Sequence, residues 1–214
     1  MPVLVLALLA NYLSVRMNVI FDLGGVVVAW KPDDLIAQLF SEPDTRAAVK
    51  TGIIGHPDWL ALDRGTIAPE ELITRAAQRT GLPEPVVRTF LCSVPASLVA
   101  SPETVALMHR IKAAGHALYC LSNMPTDSIE HLESVYSFWG IFERVFVSSR
   151  IGLCKPEPEI YRHVLETAGL VPSDCVFIDD TTENLHAAAQ FGIHTIHFTS
   201  ASQCDAELRR LGYL

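Results

Sequence analysis

Short apolar runs, rich in β-branched or aromatic residues, alternate along most of this sequence with longer segments of helical periodicity. A continuous apolar run of this kind is typical of a strand that is buried on both faces of a sheet. Strands that alternate with helices predict an α/β fold, a doubly wound parallel sheet with helices on both faces. The predicted strands are 18–23, 116–122, 144–149, 175–180 and 194–198, and the predicted helices are 101–115, 125–140, 156–169 and 181–192.

One long segment interrupts this alternation. Residues 32–100, called the cap segment below, contain helical patterns such as those at 32–40 and 69–81, and they contain no convincing strand. We therefore expect an all-helical insertion after the first strand, with the core domain formed by residues 17–31 and 101–214.

The first 16 residues are apolar, but they are too short to span a membrane and lack the basic start of a signal peptide. Three interpretations stay open for them: a start site assigned too early, an extra element packed on the domain, or an export signal. We leave 1–16 as an N-terminal extension without a functional assignment.

Charge and cysteine content exclude several classes of function. The formal net charge of −8 over 214 residues, without a cluster of Lys or Arg, argues against binding to nucleic acid. Five scattered cysteines without a CxxC spacing predict neither a disulfide framework nor a zinc site. We expect these cysteines to be buried in the protein interior and the protein to be located in a reducing, cytoplasmic compartment. We expect neither nucleic acid nor membrane as a partner, and the sequence leaves the oligomeric state open. The cysteines are Cys92, Cys120, Cys154, Cys175 and Cys204.

Polar side chains follow the predicted strands at the points where the strands end. In parallel sheets of this kind, ligands bind at the carboxyl ends of the strands. Three carboxylates and one lysine are expected to meet at that edge, where the carboxylates repel one another unless a hard cation such as Mg²⁺ lies among them. These residues are Asp22 after the first strand, Ser122 and Asn123 after the second, Lys155 after the third, and Asp179 and Asp180 after the fourth.

Each of these residues also has an ordinary structural interpretation when it is taken singly. A strand-end Asp is often a helix N-cap, a Ser-Asn pair often forms a turn, and a Lys before a proline is most often solvated. The order and spacing of the four signals favour a common site over four coincidences.

The sequence resembles the haloacid dehalogenase-like (HAD) hydrolase superfamily from residue 17 to about residue 198. The stretches FDLGGV, LSN, KPEPEIY and DDTTEN stand in the order of the four motifs of that superfamily. The cap segment matches the small helical cap that many members carry after the first strand. The resemblance implies a Rossmann-like core and a hydrolase that acts through a nucleophilic aspartate.

The resemblance also implies a role for each motif residue. Asp22 would be the nucleophile that forms an aspartyl-phosphate, and Lys155 would offset negative charge. The Ser122 hydroxyl and the Asn123 backbone would hold phosphate oxygens. Mg²⁺ would be the cofactor, and its ligands would be Asp22, the backbone carbonyl of Gly24 and Asp180, with Asp179 beside it or bound through water.

The sequence departs from the commonest pattern of the superfamily at Gly24, where phosphatases usually carry a second Asp as general acid and base. The loss of a general acid typically costs about 10²–10⁴-fold in rate. Either the leaving group needs little protonation, or water or a residue of the cap segment substitutes; His56, Asp58 and Asp63 are the candidates. A subgroup with a similar DLG first motif resembles sugar-phosphate phosphatases.

Three functions are compatible with the sequence. The first is an Mg²⁺-dependent phosphatase of a small phosphorylated metabolite, with sugar phosphates among the candidates. The second is a 2-haloacid dehalogenase, which uses the same Asp but needs no metal, so that the Asp179-Asp180 pair argues against it. The third is a binding protein of the same fold without turnover. The residues expected to select the substrate are Trp30, His56, Trp59 and Arg64.

Overall fold

The computed structural model describes residues 16–214, and within them five parallel strands form one sheet in the order β3-β2-β1-β4-β5. The predicted α/β fold with a parallel sheet is confirmed. The chain builds one half of the sheet outward from β1 and then crosses to the other side of β1, which makes the carboxyl ends of β1 and β4 a topological switch point. The strands are β1 (Asn18–Phe21), β2 (Ala117–Ser122), β3 (Phe142–Val147), β4 (Cys175–Asp179) and β5 (His194–His197).

Helices occupy most of the remaining chain, and seven of them carry proline in the first turn, where the missing N–H costs nothing. The helices within the cap segment are α1 (Pro32–Leu39), α2 (Pro43–Val49), α3 (Pro57–Asp63), α4 (Pro69–Thr80) and α5 (Glu84–Ser97), with a π-helical turn at Lys50–Ile54. The other helices are α6 (Pro102–Ala113), α7 (Thr126–Val135), α8 (Ser148–Ile151), α9 (Pro158–Ala168), α10 (Thr182–Ala189) and α11 (Ala201–Arg210).

Both faces of the central strands are buried. In β1, Val19 and Phe21 pack against the helices on one face, whereas Ile20 packs into the cluster on the other face. The same division holds in β4, where Ile178 and Phe177 belong to opposite clusters. Successive side chains of a strand point to opposite faces, so only a continuous apolar run can fill both layers.

Most predicted boundaries shift by a few residues in the structure, among them the end of β1, which lies at Phe21 and not at residue 23. Three further differences concern β3, the helix after β2 and the burial of β5. Strand β3 begins two residues earlier than predicted, and Ser148 and Ser149 belong to α8 instead. The helix predicted over 125–140 ends at Val135, after which aromatic rings pack on one another, with Tyr136 and Phe138 stacked at 5.5 Å. Strand β5 is not buried on both faces, since only Ile196 of its four residues is buried. It is the edge strand, and one of its sides faces solvent.

The cap segment has a hydrophobic core of its own, which includes Ile53, Leu72 and Phe90. The chain enters and leaves this segment side by side: the Ala29 amide donates to the Val99 carbonyl at 2.8 Å, and the Ser101 amide donates to the Val27 carbonyl at 2.9 Å. These two hydrogen bonds join the entering and leaving segments of the chain and hold the cap segment at the carboxyl end of β1.

Four of the five cysteines are buried, as predicted, but Cys92 on α5 is exposed, which corrects the expectation that all five are buried. No cysteine in the described part of the chain forms a disulfide. The packing of α5 explains the exception, because its buried side is formed by Val87, Phe90 and Val94.

The interpretations given above for the N-terminal extension concern residues 1–15 almost entirely, and these lie outside the described residues. Across residues 16–214, no helix combines the length and the apolar character that a membrane crossing requires.

Two glycines test how closely the cap segment approaches the core. Gly65 and Gly81 both adopt positive φ, +76° and +73°, but a Cβ at residue 65 would lie 2.7 Å from the carbonyl oxygen of Ser149, whereas a Cβ at residue 81 would meet nothing within 4 Å. Gly81→Ala is expected to lower the free energy of unfolding by about 1–2 kcal/mol, from the left-handed conformation alone. Gly65→Ala adds a steric clash with backbone and should cost at least about 1 kcal/mol more. Urea unfolding of both variants measures the difference, and equal losses would contradict the close approach.

Candidate active site

Asp22 stands directly after β1, at the switch point of the sheet. Its amide donates to the Ile178 carbonyl of the neighbouring strand β4 at 2.9 Å, which fixes the backbone. Carboxylate Oδ1 accepts from the Leu23 amide at 2.7 Å, and Oδ2 lies 2.9 Å from Nζ of Lys155. Asp22 is 6% exposed, so the carboxylate is rigid and largely desolvated.

Lys155 is a buried cation between two carboxylates. Its Nζ lies 2.9 Å from Asp22 Oδ2 and 2.7 Å from Asp179 Oδ2. Burial lowers the pKa of Lys155, but the charges of the two carboxylates and their hydrogen bonds raise it above its usual range. The ammonium group therefore stays charged. Its backbone is held by the side chain of Asn123, which accepts from the Lys155 amide at 2.9 Å and donates to the Lys155 carbonyl at 2.8 Å.

Asp179 and Asp180 differ in burial although they are adjacent. Asp179 is fully buried, and its carboxylate accepts from the Thr181 amide at 2.7 Å and from Nδ2 of Asn184 at 3.0 Å and 3.1 Å. Asp180 is exposed, and its carboxylate lies against the backbone of Gly25. A Cβ at residue 25 would lie 2.0 Å from Asp180 Oδ2, and φ at Gly25 is +78°. Glycine is thus required at position 25 for this close approach.

The three carboxylates form a donor set suited to a hard divalent cation. Asp22, Asp179 and Asp180 each offer an oxygen, and these oxygens lie within 4.8 Å of one another. Burial raises the pKa of Asp22 to about 7; the charge of Lys155 opposes this, and the charges of Asp179 and Asp180 add to it. One lysine leaves an excess of negative charge among three carboxylates, and an all-oxygen set of this charge is what Mg²⁺ prefers.

Ser122 ends β2 beside this cluster. It is 1% exposed, and its hydroxyl oxygen has no hydrogen-bond partner in the described part of the chain. Buried hydroxyls are nearly always paired, so the Ser122 hydroxyl is available to hydrogen-bond a group bound at the strand ends. Ser149 Oγ is also unpaired, but Ser149 packs against the Gly65 turn of the cap segment.

On the side of the cap segment, a small cavity of about 80 Å³ opens next to the first motif. Gly24, Asn123 and Asp63 line it together with Trp30 and Trp59. The two indole rings are stacked, with centroids 5.9 Å apart. A second cavity, of about 300 Å³, shares Trp59 with the first, and its other walls are mostly apolar. The two cavities are therefore adjacent.

The three candidates for a substitute acid are placed very differently. His56 caps α3, where its Nδ1 accepts from the Asp58 amide at 3.1 Å. Asp58 is engaged by Arg79 at 2.9 Å and by Arg75 at 3.3 Å, and although partial burial raises its pKa, those hydrogen bonds and the charge of His56 lower it overall. Asp63 is buried, and burial together with the charge of Asp22 raises its pKa to about 7, while Lys155 lowers it.

Of the four residues expected to select the substrate, two are brought together and two are not. Trp30 and Trp59 line the small cavity, whereas His56 and Arg64 line neither of these two cavities. Arg64 instead reaches the core, where it forms a bidentate ion pair with Glu157. Arg64 thereby joins the cap segment to the residue directly before α9, and a role of His56 and Arg64 in substrate selection stays a prediction.

Sequence reasoning missed the supporting residues. The side chain of Asn123 holds Lys155, a role that differs from the predicted use of its backbone, and Asn184 holds Asp179. Asn184 had a signal, because it lies within DDTTEN in the first turn of the helix that follows the acidic pair. Ser148 had none, since nothing in the sequence indicates that its hydroxyl contacts the cap segment.

The raised pKa of Asp63 predicts a pH-dependent cost in stability. A carboxyl that keeps its proton in the folded state up to a pKa of about 7, against about 4 when unfolded, makes the free energy of unfolding fall as pH rises between these values. The amide side chain of Asp63→Asn does not titrate. In the absence of divalent cations, the free energy of unfolding of this variant, taken relative to that of the unaltered protein, should therefore increase by about 2 kcal/mol from pH 5 to pH 7. Urea unfolding at the two pH values measures this.

Asp58→Asn on the same helix is the matched control. Its pKa is lowered in the folded state, so the substitution should lose stability relative to the unaltered protein as pH rises from pH 3 to pH 5. A pH-independent effect of Asp63→Asn would contradict the described environment of Asp63.

Comparison with known proteins identifies relatives of this chain. A sesquiterpene phosphatase (astK) of Aspergillus oryzae is 29% identical over 194 residues, which cover 90% of this chain and 94% of that protein. The (S)-2-haloacid dehalogenase 4A of Burkholderia cepacia is 23% identical over 106 residues, which cover 50% of this chain and 46% of that protein.

A crystal structure of a HAD family enzyme of Bacteroides thetaiotaomicron, in complex with magnesium and inorganic phosphate, has the same fold. It superimposes with a TM-score of 0.66 at 23% identity and covers 86% of this chain and 94% of that one. The pattern of one protein family matches residues 17–192, which is most of the chain and includes all four motifs. The chain therefore belongs to the haloacid dehalogenase-like hydrolase family and is a hydrolase with phosphatases among its relatives.

Proposed function

We propose that this protein is an Mg²⁺-dependent phosphatase that hydrolyses a small phosphorylated metabolite through an aspartyl-phosphate on Asp22. One observation carries the proposal: the buried Asp22 carboxylate lies at a strand end, 2.9 Å from the ammonium group of Lys155 and within 4.8 Å of two further carboxylates. A nucleophile, a fixed positive charge and a donor set for a divalent cation thus occur at one point.

The residues have separate tasks in this reaction. Asp22 Oδ attacks phosphorus, and its hydrogen bond from the Leu23 amide keeps the carboxylate in one orientation. Lys155 neutralises charge that builds up on the transferring phosphoryl group, and the unpaired Ser122 hydroxyl donates to a phosphate oxygen. Asp22, Asp180 and the Gly24 carbonyl would hold Mg²⁺, with Asp179 beside it, and the ion would supply further positive charge to the phosphoryl oxygens.

The third carboxylate favours this function over halide displacement. A 2-haloacid dehalogenase needs one nucleophilic carboxylate and no metal, and an exposed Asp180 held against Gly25 adds nothing to that reaction. For metal-assisted phosphoryl transfer, the same carboxylate completes the ligand set. The full set of charged groups likewise argues against a binding protein without turnover.

The cavities support an apolar organic group on the phosphate. Stacked Trp30 and Trp59 and the side chains of Val94 and Leu98 line the space next to Gly24, and the adjoining cavity of about 300 Å³ is large enough for a chain of ten to fifteen carbons, at about 20–30 Å³ per carbon by the packing density of interiors. The similarity to a sesquiterpene phosphatase agrees with this shape. We therefore favour a prenyl or similar lipophilic phosphate over the sugar phosphate suggested by the DLG motif.

Substitution of the nucleophile tests the chemistry. Asp22→Asn should lower turnover of 4-nitrophenyl phosphate by at least about 10⁴-fold, because an amide cannot form the acyl-phosphate. Asp34→Asn, on the exposed side of α1, is the control and should keep full activity. Excess chelator should abolish the activity of the unaltered protein, and added Mg²⁺ should restore it.

Full activity in excess chelator would contradict the metal site, and unchanged turnover in folded Asp22→Asn would contradict the nucleophile. Chloride release from 2-chloropropionate in chelator would identify the dehalogenase instead. A folded, Mg²⁺-loaded protein that turns over no phosphate ester would support the binding protein.

Substrate preference gives a separate test of the apolar cavities. With Mg²⁺ present, farnesyl phosphate should have a kcat/KM at least about 100-fold above that of ribitol 5-phosphate, because burial of an apolar chain contributes about 0.8 kcal/mol per CH₂. Trp59→Ala should raise the KM for farnesyl phosphate about tenfold and leave that for ribitol 5-phosphate unchanged. A higher kcat/KM for the sugar phosphate would contradict the assignment of the cavities.

A further inference from the structure

We propose that Asp63, from the cap segment, is the general acid and base of the reaction and takes the place of the aspartate that is missing at position 24. The inference rests on the proposed phosphatase function and adds a catalytic residue to it. Gly24 and Asp63 line the same cavity of about 80 Å³, so the carboxyl group lies across a small space from the position where the acid is usually attached.

The Asp63 carboxyl lines the small cavity without a protein partner. The residue is 8% exposed, and its carboxyl oxygens form no hydrogen bond or ion pair with any residue in the range 16–214. The oxygens are not among the fully buried atoms of the described chain that lack a partner, so the carboxyl is open to the cavity and available to a bound group. Asp58, five residues earlier on the same helix, shows the usual structural role, since two arginines engage its carboxylate.

The carboxyl-terminal end of α3, at Asp63 and Arg64, is held to the core at two points. The Ser148 hydroxyl donates to the Asp63 carbonyl and accepts from the Met124 amide at 2.9 Å, directly after Asn123 in the chain. One residue further on, Arg64 pairs with Glu157 of the core. Asp63 is thus positioned relative to the strand ends by the core itself, although it belongs to the cap segment.

The protonation state suits an acid that acts near neutral pH. Burial raises the pKa of Asp63 to about 7, the negative charge of Asp22 raises it further, and Lys155 opposes both. The carboxyl is close enough to these two groups to respond to their charges. A group with this pKa can both donate and accept a proton near pH 7, which is the optimum for general acid-base catalysis.

The proposed reaction proceeds in two steps, the transfer of the phosphoryl group to Asp22 and the hydrolysis of the aspartyl-phosphate. In the first, an Asp22 oxygen forms a bond to phosphorus, the bond from phosphorus to the ester oxygen breaks, and its electron pair stays on that oxygen, which takes the proton of Asp63 and leaves as an alcohol. In the second, Asp63 as carboxylate takes a proton from water while the water oxygen bonds to phosphorus. The bond from phosphorus to Asp22 then breaks, which releases phosphate and restores both carboxyl groups.

The test compares two substrates that differ in their need for an acid. The value of kcat/KM covers the steps up to departure of the leaving group, and 4-nitrophenolate leaves without protonation whereas an alkoxide does not. Asp63→Asn should lower kcat/KM for n-octyl phosphate by about 10²–10⁴-fold and that for 4-nitrophenyl phosphate by less than about tenfold. Because the second step loses its base, Asp63→Asn should also release a burst of one 4-nitrophenolate per site.

The control is Asp58→Asn, which should keep the ratio of the two kcat/KM values found in the unaltered protein. An equal loss for both substrates in folded Asp63→Asn would overturn the proposal, since a structural defect does not distinguish leaving groups. In the unaltered protein, a series of alkyl and aryl phosphates should show a weak dependence of kcat/KM on leaving-group pKa, and a steep dependence would overturn the proposal even if the variant does not fold.

Failure of this inference differs from failure of the proposed function. If Asp22 is not the nucleophile, Asp22→Asn retains turnover of 4-nitrophenyl phosphate. If only the role of Asp63 is wrong, Asp22→Asn is inactive while Asp63→Asn keeps the substrate ratio of the unaltered protein.

Discussion

The buried ion pairs of Lys155 with Asp22 and Asp179 are the interactions on which the remaining structure of the site depends. An ammonium group in the protein interior is tolerated only with close counter-charges, and removal of one partner of such a pair typically costs about 3–5 kcal/mol. The three residues come from three different parts of the chain and meet because β1 and β4 are neighbours in the sheet. The order of the strands in the sheet therefore determines which charged groups meet at the site.

This site is arranged for reaction at a cost in stability. The pKa values of Asp22 and Asp63 are both raised, mainly by burial, so each carboxyl disfavours the folded state as pH rises toward neutrality. Natural proteins accept such costs where function requires a desolvated, reactive group. The supporting residues Asn123 and Asn184 limit the cost, because they hold Lys155 and Asp179 with well-formed hydrogen bonds.

The cap segment contributes residues to the site in addition to covering it. Its helix α3 ends at Asp63, and the contact of Ser148 with the Asp63 carbonyl fixes that end on the core. Its Trp59 stacks on Trp30 of the core, and the two rings form the apolar wall beside Gly24. The cap segment thus supplies both an apolar ring, Trp59, and a carboxyl group, Asp63, to the cavity beside Gly24.

The sequence by itself determined the parallel α/β sheet and the residues at its strand ends, since continuous apolar runs and the residues that follow them are local features of the chain. It could also list Asp63 among three acids of the cap segment. It could not choose among them, nor identify Ser148 or the exposure of β5, because those depend on contacts between residues 85 positions apart and on which strand forms the edge. Such contacts arise only when the cap segment and the core pack together, so tertiary structure alone decided them.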